Sequence, residues 1–175
     1  MNLSYANRMN NLVIWVDSND KELGEVTRKE AHERALLHRI AVVMVIDGSG
    51  NFLVQERMSG KLDHSSAGHV DVGESYLQTA KRELCEELGM CDVELNYVGK
   101  GITDESKLGG PMVSHIYEVY SCIGMPGKLA EGEVKSVFWK KPEELMTEML
   151  DPRTRDKYTL TFPDTLRLFI DWKSK

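Results

Sequence analysis

Residues 68–90 read GHVDVGESYLQTAKRELCEELGM, a glycine-bounded stretch with four glutamates on or beside a predicted helix. Gly73 leads into a helix expected from about Ser75 to Leu88, and Gly89 is placed to end it in a left-handed conformation. At about 100° of rotation per residue, Glu83, Glu86 and Glu87 fall within an arc of roughly 100° on this helix. Leu77, Ala80, Leu84 and Leu88 take a neighbouring face, which can pack on a sheet while the carboxylates open onto a cleft. Three carboxylates held together repel one another. A hard divalent cation removes that cost and uses their oxygens, and magnesium or manganese is the natural choice. Arg82, four residues before Glu86, is placed to orient a ligating carboxylate, and Glu74 sits at the helix start within reach of Arg82. The alternative for the same charges is a solvated helix face with ordinary salt bridges.

Upstream of this helix, LVIWV at Leu12–Val16 and a stretch near Glu25–Thr27 read as a hairpin joined by the turn-rich DSNDKELG. Thr27 can cap a helix from Arg28 to about Leu36, with Glu30 at the reciprocal capping position. RIAVVMVI, Arg39–Ile46, is apolar and β-branched enough for a buried strand, and DGSGN turns the chain into a second at Phe52–Arg57. Ser59–Ser66 reads as a polar loop. Further strands are expected near Val93–Gly101, Met112–Tyr120 and Val134–Trp139, with helices from Pro142 and after Pro163. Strands interrupted by helices suggest an α/β fold with a mixed sheet covered on both faces. The 175 residues fit a single domain, with 1–37 as an N-terminal extension and 142–175 as a C-terminal helical segment.

The formal charge of −6 gives no long-range attraction to a phosphate backbone, so extended nucleic acid is not an expected partner. A negative protein can nonetheless hold a small polyanion if a metal supplies positive charge. Diphosphate cleavage uses metal in this way, to neutralise phosphoryl oxygens and activate water. No run approaches the roughly 18 apolar residues that span a bilayer. Cys85, Cys91 and Cys122 are scattered, which suggests reduced thiols in a cytoplasmic protein, with Cys85 packing within its helix.

The 23-residue segment resembles the Nudix family at every specified position of its box: Gly68, five residues, Glu74, seven residues, Arg82-Glu83-Leu84, one residue, Glu86-Glu87, one residue, Gly89-Met90. The resemblance extends over about residues 38–145. It implies a Nudix α/β/α sandwich with a mixed sheet, here carrying an N-terminal hairpin-helix extension. It also implies metal-dependent hydrolysis of a diphosphate linkage, most often in a nucleoside diphosphate derivative. Glu83, Glu86 and Glu87 become the expected metal-site carboxylates, the Gly68 carbonyl a further ligand, and Arg82 and Glu74 supports. Family sites often use one more acid outside the box. Glu133 ranks first for this role, then Glu131, Glu105 and Asp104. Arg57 and Lys61 are placed to approach phosphates, and His69 to contact phosphate or metal.

The residues from Trp15 to Ser75 also resemble the branch containing isopentenyl-diphosphate isomerase and its bacterial hydrolase relatives, with His32, His38 and His69 corresponding to the isomerase's metal-binding histidines. Three departures count against isomerase activity: Ala67 stands where that enzyme has its proton-transferring cysteine, the hydrolytic box is complete, and the His32–His38 spacing is one residue short. His32 and His38 are then expected to pack the added helix, His64 to belong to a mobile substrate loop, and His115 to be a plain strand residue. No short ligand pattern joins the five histidines into a zinc site. Trp15, Tyr76 and Phe138 are candidates for base stacking, and Trp139 for core or interface. A catalytically silent binding module is a further alternative, and the apolar hairpin strand leaves a homodimer open.

Overall fold

The computed structural model describes residues 11–104 and 114–175. Glu105 and the start of the expected Met112 strand therefore lie outside the described residues, as does the side chain of Asp104. In chain order the elements are β1 (Leu12–Val16), β2 (Glu22–Thr27), α1 (Arg28–Glu33), β3 (Leu37–Ile46), β4 (Phe52–Arg57), β5 (Leu62–Asp63), β6 (Ser66–His69), α2 (Tyr76–Leu88), β7 (Asn96–Asp104), β8 (Ser114–Ile123), β9 (Val134–Lys140), α3 (Pro142–Leu150) and α4 (Phe162–Lys173). A 3₁₀ turn at Arg155–Lys157 joins the last two helices.

β3 organises the sheet. It runs parallel to β8 from Leu37↔Ser114 to Ile46↔Ile123 and antiparallel to β6, while β7 pairs with β8. Beyond the Asp47–Asn51 turn, β4 carries β5 and β9. The sheet is mixed, as expected. Alternate β3 side chains enter two different cores. Ile40, Val42 and Met44 face Leu145, Phe162, Leu166 and Phe169 of α3 and α4, whereas Ala41, Val43 and Val45 face Ala80, Leu84 and Leu88 of α2. Burial on both faces explains the unbroken apolar run of this strand. Each large side chain so buried contributes about 1.5–3 kcal/mol relative to exposure.

α2 begins in a capping box: Ser75 Oγ accepts from Gln78 N at 3.3 Å, and Gln78 Oε1 accepts from Ser75 N at 2.8 Å. It ends at Gly89, φ 63°, as its sequence requires. Its core ridge is Tyr76, Ala80, Leu84 and Leu88. Leu77 is 40% exposed, a correction to its expected core position; Tyr76 packs that end of the helix instead and donates to Asp20 at 3.1 Å.

Several other expectations are corrected. β2 starts earlier than Glu25, and α1 stops at Glu33, after which Ala35 turns through φ +50°. Thr27 does cap Glu30 N, at 3.1 Å, but the Glu30 carboxylate pairs with Arg34 at 2.5 Å and does not return the cap. The 59–66 segment is no simple loop. Leu62–Asp63 pairs with β4, and Ser66 begins β6. His64 is 2% exposed inside it, so it is not part of a mobile substrate loop. Cys85 and Cys91 form a disulfide, which overturns the expectation of three reduced thiols. The left-handed turn at Gly89 reverses the chain and brings their Cα atoms to 4.4 Å. Cys122 is free and buried.

Candidate functional site

A cleft of about 600 Å³ opens where β4, β6, α1, α2 and the C-terminal segment meet. Glu83 and Glu87 of α2 face into it, with Gly68 and His69 of β6, Arg57 at the end of β4, and Glu133 just before β9. Residues separated by 76 positions in the chain, Arg57 to Glu133, are thus brought together. Met58 N donates to the Glu133 carbonyl at 3.3 Å, which carries the turn bearing Glu133 against the end of β4.

Gly68 is required here by space. A β-carbon on it would meet Glu83 Oε1 at 2.1 Å, so any larger residue here displaces the Glu83 carboxylate from its present position. Arg82 binds the acidic groups together. Its guanidinium donates to Glu74 at 2.8 Å, to Glu83 at 2.5 Å and to Glu86 at 3.3 Å. Glu74 precedes the helix cap and also accepts from Thr79 Oγ1 at 2.7 Å. Arg82 thus contacts three acidic side chains at once, Glu74, Glu83 and Glu86.

Glu87 accepts from Gln55 Nε2 at 3.2 Å and from Ala67 N at 3.3 Å. Burial, reinforced by the charge of Glu83, still pushes its carboxyl up to about 7. Burial likewise raises Glu83, against the pull of Arg82. Two carboxylates destabilised by burial and mutual repulsion are the donor set that a divalent cation relieves, so these residues fit a hard metal ion. Glu86 does not line the cleft with Glu83 and Glu87, contrary to the expected convergence of all three; its side chain is 44% accessible, and Arg82 ties it to Glu83.

Other candidates are placed differently. Lys61 donates to the Asp156 carbonyl and is outside the cleft lining. Glu131 is exposed and pairs with Lys128 at 3.8 Å. Trp15, Tyr76 and Phe138 do not line the cleft, so none of them is a stacking platform there.

A second group was legible only in part: the resemblance pointed to His32, His38 and His69, but His115 was read as a plain strand residue. His32, His38, His69 and His115 each offer a ring nitrogen, and these four atoms lie within 4.8 Å of one another. His38 and His115 are partners across the parallel β3–β8 ladder, His69 enters from β6 opposite Ile40, and His32 comes from α1. His32 Nε2 and His69 Nε2 are 3.2 Å apart. Buried His38 Nε2 and both His115 ring nitrogens have no hydrogen-bond partner. Burial holds all four rings below the ordinary histidine range, His38 at about 4 and His115 at about 3. Neutral imidazoles converging with unpartnered nitrogens can coordinate a divalent cation. This corrects the reading that no site joins the histidines; sheet register joins them, and register is not visible in their spacing. His69 and His115 also line the cleft, so the two groups are contiguous.

The NUDIX domain family matches residues 36–161. An uncharacterized Nudix hydrolase of Yersinia pestis is 30% identical over 94% of this chain and 88% of its own length. An isopentenyl-diphosphate Delta-isomerase of Serratia proteamaculans is 30% identical over 88% of each chain. Among solved structures, DR0079 of Deinococcus radiodurans superposes with a TM-score of 0.72 at 19% identity, covering 89% of this chain and 97% of that one. Among the described residues, no helix is long and apolar enough to cross a membrane.

Proposed function

The chain belongs to the NUDIX domain family, and on that premise we propose that it hydrolyses a diphosphate linkage in a small molecule, a nucleoside di- or triphosphate or a nucleotide derivative. The observation that carries this reading is the convergence of Glu83 and Glu87 with Arg57 and Glu133 on one cleft. In this reading Glu83, Glu86, Glu87 and the Gly68 carbonyl hold Mg²⁺ or Mn²⁺. The cation, when bound, neutralises phosphoryl oxygens and lowers the pKa of water. Arg57 and His69 contact the phosphates, and Glu133 is the acid outside the box that accepts a proton from the attacking water. Arg82 and Glu74 keep the carboxylates in place. In this reading the chain works as a single domain; Arg28 from the N-terminal extension and Thr159 and Thr161 from the C-terminal segment line the cleft.

A second reading, isomerisation of isopentenyl diphosphate, is favoured by the similarity to the Serratia isomerase and by the contact of His32, His38 and His69. Ala67 weighs against it: it lines the cleft with a methyl group that has no proton to transfer.

One experiment separates the readings. Purified protein is incubated with nucleoside phosphates, nucleotide sugars, dinucleoside polyphosphates and isopentenyl diphosphate, with magnesium or manganese, beside a Glu86→Gln/Glu87→Gln control. Metal-dependent release of phosphate or nucleoside monophosphate, lost in the control, is the expected result. No cleavage across the panel overturns the nucleotide reading, and double-bond isomer formation without phosphate release establishes the second one.

A further inference from the structure

Asp63 is a buried carboxylate at the end of the two-residue strand β5, and it is not part of the Nudix box. Its Oδ2 accepts from Arg57 at 2.7 Å. Its Oδ1 accepts from Thr159 Oγ1 at 2.7 Å and from His64 N at 2.9 Å. Asp63 and His64 line the cleft together with Arg57, and the His64 ring links Asp63 to α4: Nδ1 lies 2.7 Å from Asp63, and Nε2 lies 2.6 Å from Thr165 Oγ1. Arg57, Asp63 and His64 thus form one run of contacts along the cleft wall, anchored at Thr165 on the C-terminal helix. The parallel bridge Leu62↔Tyr158 and the bond from Thr159 N to Leu62 O at 2.9 Å tie β5 to the same segment.

Arg57 is a long side chain at a strand end, with 49% of its surface exposed, and would sample many rotamers if nothing held it. Asp63 engages NH1 and leaves other N–H groups of the guanidinium for a ligand. Resting on the hydrolase reading, we propose that Asp63 is a positioning residue, which holds Arg57 so that its open edge meets the phosphate oxygens of the substrate. The burial of Asp63 gives it a fixed place, and the contacts from Thr159 and His64 hold it from the C-terminal segment. Burial opposes its ionisation, but His64, Thr159 and Arg57 outweigh that and keep it ionised.

The test is a binding cycle with methylenediphosphonate, a diphosphate that water does not cleave, in the presence of Mg²⁺ and followed by calorimetry. Arg57→Gln is expected to weaken binding about tenfold, as for loss of a charge-assisted phosphate contact. Asp63→Asn is expected to weaken it about fivefold, and the double variant no further than Arg57→Gln alone, because Asp63 acts only through Arg57. Thr165→Val, a buried near-isosteric change that slackens His64, guards against misfolding of Asp63→Asn. It is expected to weaken binding about twofold, with no effect in the Arg57→Gln background. Additive losses, or an Asp63→Asn protein that is folded and binds as the unaltered one does, would overturn the proposal. Absence of diphosphonate binding by the unaltered protein would overturn both this proposal and the hydrolase reading. A coupled cycle in a protein that cleaves nothing in the substrate panel would remove the hydrolase reading alone and leave the action of Asp63 on Arg57 demonstrated.

Discussion

The α-carbon of Gly68 lies against the Glu83 carboxylate so closely that a methyl group there would sit 2.1 Å from Oε1. The Glu83 side chain thus occupies the space a β-carbon on residue 68 would need. Gly68→Ala must displace Glu83 or part the two elements. Overpacking of this kind costs about 1–3 kcal/mol, and the metal-dependent turnover is expected to fall at least about tenfold. Thermal unfolding and hydrolysis of the best substrate in the panel check this together; unchanged turnover would show that Glu83 is not held by Gly68.

Arg82 bridges Glu74, Glu83 and Glu86, so its removal leaves three acids to repel one another. Arg82→Ala is expected to weaken Mn²⁺ binding about 10–100-fold, read by electron paramagnetic resonance of the free ion. Arg82→Lys should recover little, because a single ammonium cannot reproduce the forked contacts.

His38 and His115 are kept neutral by burial, at about 4 and about 3, against 6.5 for an unperturbed histidine. The unfolded chain therefore takes up these protons first as pH falls. Their neutral burial favours the fold fully above about pH 6.5, and that contribution shrinks as pH drops towards the folded values. Metal-free protein, prepared with chelator, should lose stability in denaturant titrations between pH 6.5 and 4. A His38→Phe/His115→Phe protein should lose less over the same interval.

The four histidines make a second prediction that does not involve turnover. Co²⁺ added to chelator-treated protein should give visible ligand-field bands from nitrogen coordination, and His115→Ala should weaken or abolish them. A spectrum identical to that of aqueous Co²⁺ would show that the cluster packs without binding metal.

The Cys85–Cys91 disulfide closes a short loop around the end of α2, a separation of six residues. By chain entropy such a loop contributes about 2 kcal/mol. Cys85→Ser/Cys91→Ser, or reduction confirmed by thiol alkylation, should lower the unfolding free energy by about that amount.

The box helix was legible because its determinants are local. Ser75 and Gly89 set its ends, the carboxylate spacing set its polar face, and both appear in the structure within a residue of their expected places. The run Arg39–Ile46 announced a buried strand, and the structure buries it on both faces, against α2 on one side and α4 on the other. The family and the mixed sheet could thus be read from the chain alone, since box spacing and strand patterning are local. Tertiary structure alone decided the rest. The register of β3 against β8 and β6 brought His38, His115 and His69 together, and a turn through Gly89 joined two cysteines that composition had left apart. It also placed Asp63 between Arg57 and the C-terminal segment. Strand register and chain reversal set which distant residues meet, and no spacing along the chain encodes those meetings.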